Sequence, residues 1–228
     1  MIVIRSKRLR AVLRIAIPFG AIPLLVLLGA LVFEEKRHLL VSLGVAVLAV
    51  GLFLAGFERK TTGSRRLVIT AVMIALCITG RFIPFFKPVT ALTILTAMYL
   101  GGEAGFLTGA MSAVLSNFYF GQGPWTAFQM LAWGLIGLFA GYLSAPLKRS
   151  RALLILTGVL AGIVYSMLMD VWTVMWYDGG FQAELYLAAL TAALPHTVLY
   201  SVSNAVFLWC LARPIGEKLE RVRIKYGV

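Results

Sequence analysis

The sequence predicts an all-α integral membrane protein: a pair of transmembrane helices followed by a six-helix bundle. Three observations predict it. The 228 residues are 61% hydrophobic and only 13% charged, with a mean hydropathy of +0.92, whereas soluble domains carry roughly 45–50% apolar and about 25% charged residues. Apolar runs near the ~20 residues needed to span a bilayer recur along the chain. Most of the basic residues fall in the segments that an even number of spans would place on one side. These features exclude a soluble globular protein and a disordered one. Cys77 and Cys210 both lie in apolar runs, and no Cys/His pair has zinc spacing, so neither a disulfide framework nor a metal site is expected.

The first span is Ile15–Phe33, after the basic run Arg5, Lys7, Arg8, Arg10 and Arg14. A signal peptide shares the basic start, but no small-x-small site precedes Glu34 and the apolar run is long, so a retained helix is expected. Glu34–His38 turns the chain, and Leu39–Phe57 returns. Residues 1–57 thus form an N-terminal helix pair, residues 58–66 a polar cytoplasmic linker, and residues 67–228 a six-helix membrane domain. In that domain Leu67–Pro84 is a span. Val89–Leu100 and Ala104–Phe118 are two short apolar runs, either short helices or a re-entrant pair. Ala127–Pro146 and Ala152–Trp176 are full spans. The last apolar region is too long for one span and contains Pro195. Leu185–Ala193 reads as a surface segment and Leu194–Ala212 as the final helix, with Pro195 in its first turn, where proline is tolerated.

With eight spans both termini share a side. That side collects 17 Lys and Arg, and the other has four, Lys36, Arg37, Arg81 and Lys87. The positive-inside rule then puts both termini in the cytoplasm. The net charge of +12 is accounted for by topology and a surface facing anionic lipid, and no nucleic-acid partner is inferred. Small residues recur at four-residue spacing (Gly101, Gly105, Gly109; Gly137, Gly141; Gly158, Gly162), which lets helix backbones approach closely.

Ionisable residues inside a membrane are expensive and are functional candidates. Counted from their basic anchors at 1.5 Å per residue, Asp170 lies about 28 Å up, Arg81 about 22 Å and His196 about 24 Å. Three helices thus offer an anion, a cation and an imidazole at similar height. One reading is a structural Asp170–Arg81 pair with His196 at the interface. The other is the wall of an outward-facing polar pocket, with Lys87 on the same side. The segment Ser116–Met130, SNFYFGQGPWTAFQM, sets the amides Asn117, Gln122 and Gln129 among Phe118, Tyr119, Phe120 and Trp125. Gly121, Gly123 and Pro124 permit a tight turn there. An aromatic belt explains the rings but not the amides. Stacking faces with amide donors and acceptors suit a large heteroaromatic or amide-bearing ligand. The chain lacks GxxxxGK[ST], HExxH and GxSxG, and Ser201 and Ser203 are poorly spaced to serve His196 as a hydrolase pair. No enzyme activity and no cofactor are expected.

The core from Arg65 to Val228 resembles the substrate-binding S components of energy-coupling factor (ECF) vitamin transporters. The resemblance rests on GGEAGFLTGAMSAVLSNFYFGQGPWTAFQMLAWGLIGLFAG at Gly101–Gly141 and on the terminal RPIGEKLERVRIKYGV at Arg213–Val228. It implies a six-helix bundle in a bacterial cell membrane that captures a vitamin-like micronutrient outside and delivers it with a shared transmembrane subunit and two ATPase subunits. The family's A-x-x-x-A element, which docks the shared subunit, matches Ala71 and Ala75 in AVMIA. Within the family the chain most resembles the cobalamin-type subgroup, and the loop is also compatible with a smaller heterocycle, purine-like or pterin-like. The first two helices depart from the six-helix pattern. The alternative from another class is a self-sufficient secondary transporter or channel in which Asp170, Arg81 and His196 relay protons.

Overall fold

A computed structural model of the chain describes residues 6–32, 38–56, 60–178 and 181–226, and among them every regular element is helical. The first helix runs as α1 (Lys7–Ala16), a π turn (Ile17–Ala21) and α2 (Ile22–Val32). The π turn contains Pro18 and ends two residues before Pro23, and the missing N–H groups and ring clashes of these prolines make a regular α-turn costly. Of the turn expected at Glu34–His38 only His38 is described, and it opens α3 (His38–Ala55). Then follow α4 (Lys60–Gly80), α5 (Val89–Leu100), α6 (Gly102–Phe120), α7 (Trp125–Tyr142), the short α8 (Ser144–Arg149), α9 (Arg151–Asp178) and α10 (Ala183–Tyr226). The described part of the polar linker, from residue 60, is the first two turns of α4.

The two short apolar runs are antiparallel helices of the bundle rather than a re-entrant pair. Gly101, at φ 93°, makes the reversal between them. Helix α5 has only 12 residues, all buried except Tyr99, because α4, α6, α7, α8, α9 and α10 surround it. A helix wrapped by protein has no lipid face to match in length. Helix α6 can be polar for the same reason: Thr108, Ser112 and Ser116 are buried and donate to the carbonyls of Ala104, Thr108 and Ser112, so no hydroxyl is left unsatisfied along that line. By length and composition, four helices among the described residues qualify as membrane spans, within Lys7–Leu31, His38–Ala55, Arg151–Trp176 and Ala183–Tyr226. Their exposed side chains are largely apolar, Leu24, Leu40, Leu156 and Leu194 among them.

Helices α6 and α7 pack along a seam without side chains between the backbones. A Cβ on Gly105 or Gly137 would run into the backbone of the other, and one on Gly141 into Gly102. Gly158 and Gly162 do the same service for α9 against Leu208 and Ser201 of α10. The α2–α3 pair lies against α6, α7 and α9.

One expectation is corrected. Leu185–Ala193 is not a separate surface segment, and Pro195 is not in a first turn. Both belong to α10, a single helix of 44 residues with Pro195 and Pro214 inside it. Packing along α9 holds the helix through the prolines: Ser166 and Thr197 share a hydroxyl contact of 2.6 Å, and Asn204 donates to the Gly158 carbonyl at 3.0 Å. Where lipid offers no partner for a freed backbone group, continuing the helix beside a neighbour is the cheaper solution. At about 66 Å the helix is roughly twice the thickness of a hydrocarbon core, so its charged last turns project beyond it.

Candidate functional site

The two ends of the bundle differ in chemistry. At the basic end, Glu103 in the first turn of α6 is 5% exposed and pairs with Arg14 of α1 and, at 3.3 Å, with Arg66 of α4. Arg66 also donates to the Gly56 carbonyl after α3 at 3.5 Å. Nearby, Lys148 of α8 pairs with Glu220 of α10 and lies over the Tyr99 ring. Grooves of about 260 and 650 Å³ open here around Tyr99, Lys148 and Glu217. On their walls Lys148, Arg213 and Arg223 are paired with Glu220 and Glu217. Shallow, internally paired surface of this kind is what a solvated membrane edge requires.

The opposite end is built around residues 81–88, RFIPFFKP, between α4 and α5. Pro84 and Pro88 stiffen this loop, and Phe85 takes a left-handed conformation, φ 60°, uncommon for a bulky side chain. Reciprocal hydrogen bonds tie the loop to α10: the Lys87 N–H donates to the Ser203 hydroxyl at 3.0 Å, and that hydroxyl contacts the Lys87 carbonyl at 3.3 Å.

The loop presents Arg81, 8% exposed, to the last turn of α6. Its guanidinium donates to the Ser116 hydroxyl and, at 2.7 Å, to the Asn117 side-chain oxygen. The Asn117 amide then donates to Thr126 at 2.8 Å and to Gln129 at 2.9 Å, and Gln129 donates to the Tyr165 hydroxyl at 3.2 Å. One directed chain of donors thus crosses α6, α7 and α9, and it ends on a tyrosine whose own proton has no acceptor among the described residues. Aromatic faces enclose it. Trp133 and Tyr165 stack at 4.9 Å and 16°, Tyr200 meets Tyr165 edge-on, and Arg81 lies over both Trp133 and Phe120. Lys87 faces the same Phe120 ring at 5.9 Å. Burial, and after it the Arg81 guanidinium, lowers the Lys87 ammonium below the ordinary lysine value.

Among the expected site residues, the structure joins Arg81, Asn117 and Gln129 directly and brings Lys87 to the same ring. Gln122 serves the α6–α7 turn: it donates to the Val114 carbonyl at 2.8 Å and accepts from Thr126 at 3.0 Å. Trp125 turns toward α9 and meets Trp172 at 5.7 Å. That side opens on a crevice under the N-terminal pair, lined by Val26, Val41, Phe128 and Trp176, with about 30 Å³ free, enough for a water or two.

The Asp170–Arg81 pair is not formed among the described residues. Asp170 is buried in α9 with its Oδ2 unpartnered, and Arg81 bonds to Ser116 and Asn117 instead. His196 is exposed on α10 and enters no part of the network. Ser201 and Ser203 are used in packing, Ser201 donating to the Val159 carbonyl at 3.1 Å. Ser116, Thr126, Trp133, Tyr165 and Tyr200 belong to the cluster and were not singled out in the sequence as site residues. Ala71 and Ala75 are both exposed on α4, beside the exposed Val68, Val72 and Leu76.

A family model described as ECF-type riboflavin transporter, S component, matches residues 62–221, which run from the first turn of α4 into the last turns of α10 and leave out α1–α3. No curated protein and no solved structure gives a significant match.

Proposed function

The chain belongs to the S-component family of ECF-type riboflavin transporters, and from that premise we propose that it captures a flat heteroaromatic vitamin, riboflavin or a close relative, at the Arg81 end of its bundle. The observation that carries this reading is the Trp133–Tyr165 stack joined to the Arg81–Asn117–Gln129 hydrogen-bond chain. Aromatic faces take the rings of such a ligand, and amides and a guanidinium take its carbonyl and ring-nitrogen edge. Cobalamin, expected from the sequence, is far larger than this compact cluster, and membership of a riboflavin-transporter family favours a flavin. Among the expected site residues we assign substrate contact to Arg81, Lys87, Asn117 and Gln129, with Gln122 and Trp125 shaping the turn beside them.

The distribution of 17 basic residues against four supports cytoplasmic termini in a bacterial cell membrane, with the Arg81 end outside. Delivery inward then requires the ECF membrane subunit and its ATPases. The exposed Ala71 and Ala75 form the docking face of α4, where small side chains let a foreign helix approach. A self-sufficient transporter that relays protons through Asp170, Arg81 and His196 gains no support, since no hydrogen bond or ion pair links the three.

Mass spectrometry of small molecules retained by the purified chain, followed by a riboflavin titration, tests the reading. A retained flavin and saturable riboflavin binding are expected. Retention of a different vitamin, with no riboflavin binding, would overturn the substrate assignment. Proton-driven uptake by the chain alone would overturn the importer assignment. The double variant Ala71→Leu/Ala75→Leu should bind ligand normally and fail to copurify with the membrane subunit. Normal copurification would remove these alanines from the interface.

A further inference from the structure

Helix α4 carries the exposed Ala71 and Ala75, yet its first turns have little apolar hold on the bundle. Its buried residues begin at Thr70 and continue as Met73, Ile74 and Cys77, one stripe against α5 and α6. From Ser64 to Ile69 no side chain is buried. Two adjacent arginines fix this stretch instead, and they reach to different elements. Arg65 donates to the Tyr226 carbonyl of α10 at 3.1 Å and lies over that ring at 5.5 Å. Arg66 enters a slot made by the N-terminal helix pair and α6. It pairs with Glu103 at 3.3 Å, donates to the Gly56 carbonyl at 3.5 Å and lies over the Phe53 ring of α3 at 5.3 Å. A Cβ on Gly101 would stand 2.7 Å from this guanidinium and one on Gly56 3.2 Å, so both glycines leave room for it. Arg14 of α1 closes the slot by sharing the Glu103 carboxylate. The Arg65 bond is exposed, whereas the Arg66 and Glu103 side chains are only 12% and 7% exposed, and a largely buried, charge-assisted tie is the stronger of the two.

We infer that Arg66 is a positioning residue for docking of the ECF membrane subunit, and that the N-terminal helix pair, which the family model leaves out, sets the docking helix through it. The inference rests on the docking reading of Ala71 and Ala75 given above. Arg66 precedes Ala71 by five residues, about 8 Å along the helix. A partner helix seated on Ala71 and Ala75 is sensitive to the pose of this stretch, because close approach over small residues tolerates little displacement. Holding the stretch in place before the partner arrives removes part of the ordering cost of association. The ligand end is not involved: Arg81 lies about 22 Å farther along the same helix.

Two full-length variants, Phe53→Leu and Arg14→Gln, loosen the slot while keeping Arg66, Glu103 and the alanines. In nanodiscs each is titrated with the purified complex of membrane subunit and ATPases, and separately with riboflavin. In both, the Kd for the complex should rise at least about threefold, the scale of one weakened cation–π contact or ion pair. Riboflavin affinity should stay within about twofold. Arg14→Lys keeps a cation on Glu103, and its docking should lie closer to the wild type than to Arg14→Gln. A merely structural slot would lower the melting temperature without moving the Kd of the folded protein. Unchanged docking in either variant, a parallel loss of riboflavin binding, or an Arg14→Lys protein no better than Arg14→Gln would therefore overturn the inference. The double variant Ala71→Leu/Ala75→Leu is titrated alongside. If it docks normally, the docking reading falls and this inference with it. If it fails to dock while Phe53→Leu and Arg14→Gln dock normally, the inference alone is overturned.

Discussion

At the basic end of the bundle one buried carboxylate, Glu103, is held by two arginines from two other helices. At the opposite end one buried arginine, Arg81, is held by a hydroxyl and an amide and by no carboxylate among the described residues. Both residues are almost fully removed from solvent. The difference separates two uses of buried charge. The first finds its counter-charge within the chain and fastens α1, α4 and α6 together. The second has hydrogen-bond partners for part of its guanidinium and no carboxylate among the described residues, an arrangement that suits a binding site.

Substitutions at the two ends should therefore behave oppositely. The largest effect is expected for Glu103→Ala. It removes the carboxylate shared by the largely buried Arg66 guanidinium and by Arg14, and breaking a buried pair from one side costs roughly 3–5 kcal/mol. Thermal unfolding in detergent should show a drop of many degrees, while flavin affinity in the folded fraction stays within about twofold. Unchanged melting would mean that the cluster is a surface ornament. Next comes Gly137→Leu in the α6–α7 seam, which joins the two ends. Overpacking there should cost about 1–3 kcal/mol or more and weaken binding too, because it moves Asn117 relative to Gln129. Retained stability together with retained affinity would show the seam to be looser than its backbone contacts imply.

At the Arg81 end the order of effects reverses. Arg81→Met removes an uncompensated cation, so stability should change by no more than about 1 kcal/mol while flavin affinity falls at least tenfold. A collapse in melting temperature with unaltered affinity would make Arg81 a structural residue. Gln129→Ala interrupts the chain between Asn117 and Tyr165 and should cost about 1–3 kcal/mol of binding, roughly five- to 150-fold. Trp125→Ala, whose ring meets Trp172 beside the narrow crevice, should change affinity by less than about threefold. An isothermal titration series across the three variants ranks them, and a Trp125 effect above that of Gln129 would move the site toward α9.

Much of this was legible in the sequence, and the limits have a physical cause. Hydrophobic run length located Val89–Leu100 to the residue, because Pro88 and Gly101 punctuate it. The amide-rich turn pointed to Asn117 and Gln129 because three amides in an aromatic segment have no lipid-belt explanation. Counting residues from a charged anchor gave height along the bundle but no direction around a helix. Asp170, Arg81 and His196 were thus placed at one level, while His196 faces outward and Asp170 bonds to neither. Rotation about the helix axis is fixed by packing, here by Gly158 and Gly162 turning α9 onto α10. The same limit hid Trp133, Tyr165 and Tyr200, single aromatics on separate helices whose convergence no local pattern records. Residues 185–193 misled for another reason: a proline reads as a boundary in water, but beside α9 the helix carries Pro195 in its interior.

The most direct test of this division of labour is an experimental structure of the chain with riboflavin bound. The account predicts the flavin ring at the Arg81 end, in van der Waals contact, about 4 Å, with Trp133 or Tyr165 and hydrogen-bonded to Asn117 or Gln129. A flavin lodged instead at the basic end, in the groove between Tyr99, Lys148 and Glu217, would contradict it.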